Sequence, residues 1–210
     1  MAGARSARVQ PRLEFRCFAP DLSPWSARLL ERLDSRDTEL SAALYLLWRD
    51  GDGLNVKIAD QRLEIKDRIA TEAGLERWRP REPIPFPLRA GSIDGLPALG
   101  DRQAMSVAAF IDACARAGHV LVHVLKTRQR FEADGLLAEC CELIVNGCGL
   151  QTIAIEAGES APVLRLRAEL GLDDFESLAY PAMLRRVTGL AALPSASEWR
   201  ADNTWLGRVR

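Results

Sequence analysis

The residues able to do chemistry in this sequence are charges set two apart. Arg12, Glu14 and Arg16 alternate with Leu13, Phe15 and Cys17. Arg62, Glu64, Lys66 and Arg68 share one face of a segment whose other face holds Leu63, Ile65 and Ile69. Lys126, Arg128 and Arg130 fall in line with Val120, Val122 and Val124, and Lys57 sits in a further short run. Glu139 or Glu142, then Glu156, extend the set with acids. A period of two is that of a β-strand, so each group occupies one strand face. Gathered together, the faces hold more basic than acidic groups. Arginine forks and lysine ammoniums match the non-bridging oxygens of phosphate. A single charged strand face is ordinarily just the wet side of a sheet. Several such strands closed into a barrel would enclose a charged interior, which is costly when empty. A polyphosphate anion together with a divalent cation would offset that cost.

Other chemistries lack support. His119 and His123 lie on one strand face about 13 Å apart, too far to share a metal. Ser160 and Ser177 have no nucleophile-elbow context. Neither the glycine fingerprint of dinucleotide sites nor the P-loop occurs. The five cysteines (17, 114, 140, 141 and 148) form no Cys-x-x-Cys pair. They read as reduced, mostly buried thiols, which points to the cytoplasm.

The elements that must position these charges follow from the same pattern. A strand is predicted over Arg12–Phe18, then a helix through Trp25, Leu29, Leu30 and Leu33. Three strands follow in quick succession: Ala43–Arg49, Leu54–Ala59 and Arg62–Ile69. The first two are joined through Asp50-Gly51-Asp52-Gly53 and the last two through Asp60-Gln61, which makes an antiparallel meander. Residues 76–102, with prolines at 80, 83, 85, 87 and 97, read as a loop or cover and not as sheet. Gln103–Ala117 is predicted as a helix, His119–Phe131, Leu136–Val145 and Gln151–Ala157 as strands, and Ala161–Leu170 and Phe175–Val187 as helices.

The bulk numbers set the frame. At 210 residues the chain is expected to form one α+β domain. Residues 1–11 read as a flexible leader, 12–190 as the domain and 191–210 as a polar tail. With 28 Lys+Arg against 29 Asp+Glu, the balance argues against a general nucleic-acid binder. No apolar run approaches the roughly 20 residues of a membrane span. The expected partner is a small anionic polyphosphate, with homodimerisation left open.

In motif order the chain resembles the CYTH, or triphosphate tunnel metalloenzyme, superfamily. Arg12-Leu13-Glu14-Phe15-Arg16 is similar to its opening Glu-x-Glu-x-Lys strand. Leu54-Asn55-Val56-Lys57 and Leu63-Glu64-Ile65-Lys66-Asp67-Arg68 are similar to its paired basic strands. Val124-Leu125-Lys126-Thr127-Arg128 resembles its Lys-x-Arg strand, and Thr152-Ile153-Ala154-Ile155-Glu156 its late Glu-x-Glu strand. Tyr180 to Leu184 resembles its closing helix. The resemblance implies an antiparallel β-barrel tunnel of about eight strands with flanking helices. It implies metal-dependent hydrolysis of tripolyphosphate or of a nucleoside or thiamine triphosphate. Class IV adenylate cyclase activity is an alternative, as is a module that binds a phosphorylated ligand or a protein partner without turnover. It gives Lys57, Lys66, Arg68, Lys126 and Arg128 catalytic roles, and places Arg12, Arg16, Arg62 and Arg130 on the substrate. Mg²⁺ or Mn²⁺ would sit on Glu14, Glu142 and Glu156. The sequence departs from the pattern where Arg12 replaces the first glutamate, Arg16 the lysine and Ala154 a late glutamate.

Overall fold

The computed structural model describes residues 10–48, 53–89 and 104–191. Nine strands and four helices alternate along it. They are β1 (Arg12–Ala19), α1 (Ser23–Arg32), β2 (Ser35–Leu47), β3 (Leu54–Ala59), β4 (Arg62–Glu72), β5 (Leu75–Pro80) and β6 (Ile84–Pro85). Then follow α2 (Val107–Arg116), β7 (Val120–Ala133), β8 (Leu136–Val145), β9 (Cys148–Ala157), α3 (Ser160–Leu170) and α4 (Tyr180–Val187).

Every strand pairing is antiparallel. β1, β5, β4, β3, β2, β7, β8 and β9 follow one another around the sheet, and β9 pairs back onto β1. The result is a closed eight-stranded barrel, with β6 added to β4 beside β5. Tight two-residue hairpins set the register. Asp60-Gln61, Ala73-Gly74, Asp134-Gly135 and Asn146-Gly147 all have positive φ at both positions. That is the turn whose twist matches flanking strands, and glycine or asparagine adopts it at least cost.

Alternation then sorts side chains to two sides of the wall. Outward residues form two covered cores. Leu13, Phe15 and Cys17 of β1 and Ile153 and Ile155 of β9 pack with Leu29 of α1 and Val163, Leu166 and Leu170 of α3. Val56, Ile58, Leu63 and Ile65 pack with Phe110 and Cys114 of α2. A third cluster grows on the faces that carry the charges. Phe18, Tyr45, Val122, Val124, Cys141, Leu143 and Val145 surround Leu178, Tyr180, Met183 and Leu184. These residues plug one end of the barrel with the start of α4. Burial of such side chains contributes about 1.5–3 kcal/mol each, so the plug is a firm floor.

Three expectations are corrected. Residues 75–80 form β5, a barrel strand with Leu75 and Trp78 buried, because the prolines begin only at its last residue. β2 begins at Ser35, eight residues before the predicted start at Ala43. Its first half lacks an apolar face (Leu40 is 76% exposed), and pairing with β7 from Ser35↔Phe131 holds it instead. The last helix begins at Tyr180, with Pro181 in its first turn. The Asp50–Asp52 turn, residues 90–103 and most of the expected leader and tail lie outside the described residues. No helix among the described residues is long and apolar enough to cross a membrane.

Candidate functional site

All eight barrel strands send side chains into one lumen. Its inner part, about 110 Å³, is lined by Glu14 and Arg16 (β1), Tyr45 (β2), Asn55 and Lys57 (β3), Lys66 (β4) and Trp78 (β5). Lys126 and Arg128 (β7), Glu139 (β8), Glu156 (β9) and Tyr180 of the plug complete the lining. An outer part of about 290 Å³ shares Tyr45, Lys57, Lys66, Lys126 and Arg128 with it and extends past Glu39, Ser41, Asp60 and Glu64. The lumen is therefore a pocket open toward Glu39 and floored by α4.

Arg16 is its electrostatic centre. The side chain is 6% exposed, and Nε donates to Glu14 Oε1 at 2.6 Å while Nη1 donates to Glu139 Oε1 at 2.8 Å. Its guanidinium lies 4.7 Å from the centroid of the Tyr180 ring, and Lys126 Nζ lies 5.5 Å from the same ring. Directly across the β1–β9 ladder stands Ala154, fully buried, whose small side chain leaves room for the guanidinium. Glu139 Oε2 lies 3.5 Å from Arg128 Nη1. Burial alone would raise the Glu139 carboxyl, but Arg16, Lys126 and Arg128 hold it down at about 2. Burial also lowers the Lys126 ammonium from its ordinary value.

The second carboxylate pair behaves in the opposite way. Glu156 lies directly across the ladder from Glu14, and burial and the Glu14 charge push its carboxyl up to about 7. Lys57 Nζ pairs with Glu64 at 2.9 Å across the β3–β4 ladder. Three buried polar atoms of the lining, Asn55 Oδ1, Arg128 Nε and Tyr180 OH, have no hydrogen-bond partner among the described residues. Unsatisfied buried atoms are expensive, and a ligand is one way to satisfy them.

The structure brings Lys57, Lys66, Lys126, Arg128, Arg16, Glu14 and Glu156 together in this pocket. Arg68 follows Lys66 along β4 and pairs with Glu76 at 2.8 Å. Arg130 shares the Glu39 carboxylate with Arg128 at the rim. Arg12 and Arg62 do not line the pocket: Arg12 donates to the Gly135 carbonyl in the β7–β8 turn, and Arg62 is exposed at the start of β4. Glu142 is on the outer face, in a surface groove against Ser26 and Leu30 of α1, and Glu139 holds the inward position instead.

That placement bears on the metal. A divalent ion needs oxygen ligands free to converge on it. Of the expected set, Glu142 is outside, and Glu14 is committed to Arg16, as is Glu139. Among the described residues, no group of three or more His, Cys, Asp or Glu side chains is placed to hold a metal. The residues present do not fit Mg²⁺ or Mn²⁺.

No family model and no curated protein matches the sequence. Solved structures do share the fold. The PH1012 protein of Pyrococcus horikoshii OT3 is 14% identical, with 82% of this chain and 98% of that one covered at a TM-score of 0.51. HpAC1 from Hippeastrum, an adenylyl cyclase candidate described as having a dominant triphosphatase activity, is 17% identical, with 87% and 98% covered at 0.50. At these identities the likeness is one of fold.

Proposed function

We propose that this divergent CYTH-like barrel is a receptor for a polyphosphate-bearing anion: tripolyphosphate, a nucleoside triphosphate or thiamine triphosphate. One observation carries the reading. Lys57, Lys66, Lys126 and Arg128, from three strands, converge with Arg16 on a lumen whose far end is closed. The inner lining holds these five cations against the carboxylates Glu14, Glu139 and Glu156. A terminal phosphate would enter from the Glu39 side and spread its oxygens over the lysines and the Arg128 fork. The cation excess and two donors with no partner among the described residues, Arg128 Nε and the Tyr180 hydroxyl, favour an occupant rich in oxygens. The unpaired thiols of all five cysteines suit a cytoplasmic protein.

Thermal melting with tripolyphosphate, ATP and thiamine triphosphate, each with EDTA or with Mn²⁺, tests the proposal. A ligand at about 100 times its dissociation constant adds about 2.7 kcal/mol to the folded state. No shift with any of the three would remove the reading.

Hydrolysis of the terminal phosphoryl is a second reading, favoured by Glu156. A buried carboxyl raised to about 7 lies in the range where general bases work, and it faces the same lumen as the lysines. Phosphoryl transfer rests mainly on positioning and charge stabilisation, which Lys57, Lys66, Lys126 and Arg128 would supply. Release of phosphate, with cyclic AMP read in parallel on ATP, tests turnover. Binding without either product leaves the receptor alone.

A further inference from the structure

We propose that Arg16 is the resident cation of the lumen, holding the place between Glu14 and Glu139 that a bound metal would otherwise need to fill, so that anions are taken up without metal. As to the anion, the inference rests on the polyphosphate reading above; as to the metal, it stands apart from it.

The geometry fixes Arg16 from three sides. Glu14, on its own strand, takes Nε at 2.6 Å, and Glu139, from β8, takes Nη1 at 2.8 Å. The Tyr180 ring of the α4 plug lies 4.7 Å from the guanidinium carbon. On the fourth side is Ala154, in register with Arg16 across β1–β9 and fully buried. Directly opposite side chains on one face are about 5 Å apart at Cβ, so a long acidic side chain at 154 would compete for the same space. Arg16 and Ala154 thus form a pair in which a forked cation faces a position with no carboxylate.

The electrostatics point the same way. A guanidinium keeps its charge at any ordinary pH and cannot dissociate from the protein. It holds the buried Glu139 ionised against the cost of burial. A metal approaching Glu14 or Glu139 would have to displace an organic cation that bridges the two and then sit beside Lys126 and Arg128. The remaining guanidinium nitrogen, Nη2, makes no hydrogen bond among the described residues. It is left to donate to a ligand oxygen.

The test is isothermal titration of tripolyphosphate into the full chain and into Arg16→Gln, each in EDTA and in Mn²⁺. The wild type is expected to bind with the same Kd in both media. Arg16→Gln is expected to lose at least about tenfold in EDTA and to recover most of it in Mn²⁺, which can now reach the two freed carboxylates. Wild-type binding that appears only with Mn²⁺ overturns the proposal, and so does an Arg16→Gln protein that binds like wild type in EDTA. If circular dichroism shows Arg16→Gln unfolded, Arg16→Gln/Glu139→Gln takes its place, since it removes one charge of each sign. Binding in no chain and no medium would defeat the polyphosphate reading, not this one. Melting with Mn²⁺ alone then decides: a rise in the variant but not in the wild type supports the resident cation, and any other pattern overturns it.

Discussion

Glu14 of β1 and Glu156 of β9 lie directly opposite each other inside the barrel, and only Glu14 is held by Arg16. The two carboxylates therefore share one environment unequally. Glu14 is neutralised by a guanidinium at 2.6 Å, whereas Glu156 meets burial and the charge of Glu14 and rises to about 7.

A pH dependence of stability follows. Glu156 titrates near 4.5 in the unfolded chain and near 7 in the folded one. Its contribution is fully present below the unfolded value and is lost as pH rises through 7, because the folded state must then surrender a proton it holds more tightly. The loss is on the order of 1–3 kcal/mol. Glu139 runs the other way, but its window lies between about 2 and 4.5 and leaves the neutral range untouched. Glu156→Gln should thus be more stable than wild type at pH 8 and equal to it at pH 4.5. Urea unfolding at both pH values checks this; a wild-type curve with no fall between them would refute the assignment.

The lumen cations should act on ligand and not on fold. Lys66→Gln and Lys126→Gln each remove one charged donor, worth about 1.5–3 kcal/mol, or roughly 10- to 100-fold in Kd for tripolyphosphate. Arg116→Gln, on the exposed face of α2, should leave binding unchanged. Equal losses in all three variants would mean that the effect is bulk charge and that the lumen is not the site. Titration calorimetry at two salt concentrations separates the cases.

Much of this site was legible in the sequence because strands obey a period of two. Lys57, Lys66, Lys126, Arg128, Glu14, Arg16 and Glu156 fall on inward faces as alternation requires. Two kinds of information were missing. Register was one: the Asn146-Gly147 hairpin pairs Val145 with Cys148 and hence Glu139 with Ala154. Counting back from that turn puts Glu139 inside with Ala154 and sends Glu142 out, which composition and charge do not distinguish. The other was tertiary closure. Tyr45, Trp78 and Tyr180 carry no charge and nothing local marks them as lining, and Asn55 is marked only by sharing a strand face with Lys57. Only the return of α4 into the barrel end brings Tyr180 beneath Arg16. β5 was hidden by its neighbours, since a strand ending in proline reads as a proline-rich loop when judged by window.

Tyr180 supplies a prediction with opposite signs in two assays. Its hydroxyl is buried with no hydrogen-bond partner among the described residues, while its ring stacks on Tyr45 at 5.4 Å and meets Phe18 edge-on at 5.3 Å. Tyr180→Phe keeps the ring and removes the unsatisfied oxygen, so the free protein should be unchanged or more stable by up to about 1 kcal/mol. If the hydroxyl donates to bound phosphate, the same variant should bind tripolyphosphate about tenfold more weakly. Destabilisation of the free protein would show that the hydroxyl is satisfied without ligand, by water.

Glu39 sits at the rim between two arginines. Its Oε2 accepts from Arg128 Nη2 at 2.6 Å and also from Arg130, so one half-exposed carboxylate occupies two cations at the mouth. Arg128 is at the same time shared with Glu139 on the inner side. A ligand phosphate must compete with Glu39 for that fork. An ion pair this exposed is worth at most about 1 kcal/mol, so Glu39→Gln should cost less than that in stability. Freed of its outer partner, Arg128 should bind polyphosphate about two- to fivefold more tightly, through a slower dissociation. Stopped-flow dissociation and urea unfolding of the one variant measure both. A weaker affinity at unchanged stability would mean that Glu39 holds Arg128 in its binding pose, and that the carboxylate serves the ligand instead of opposing it.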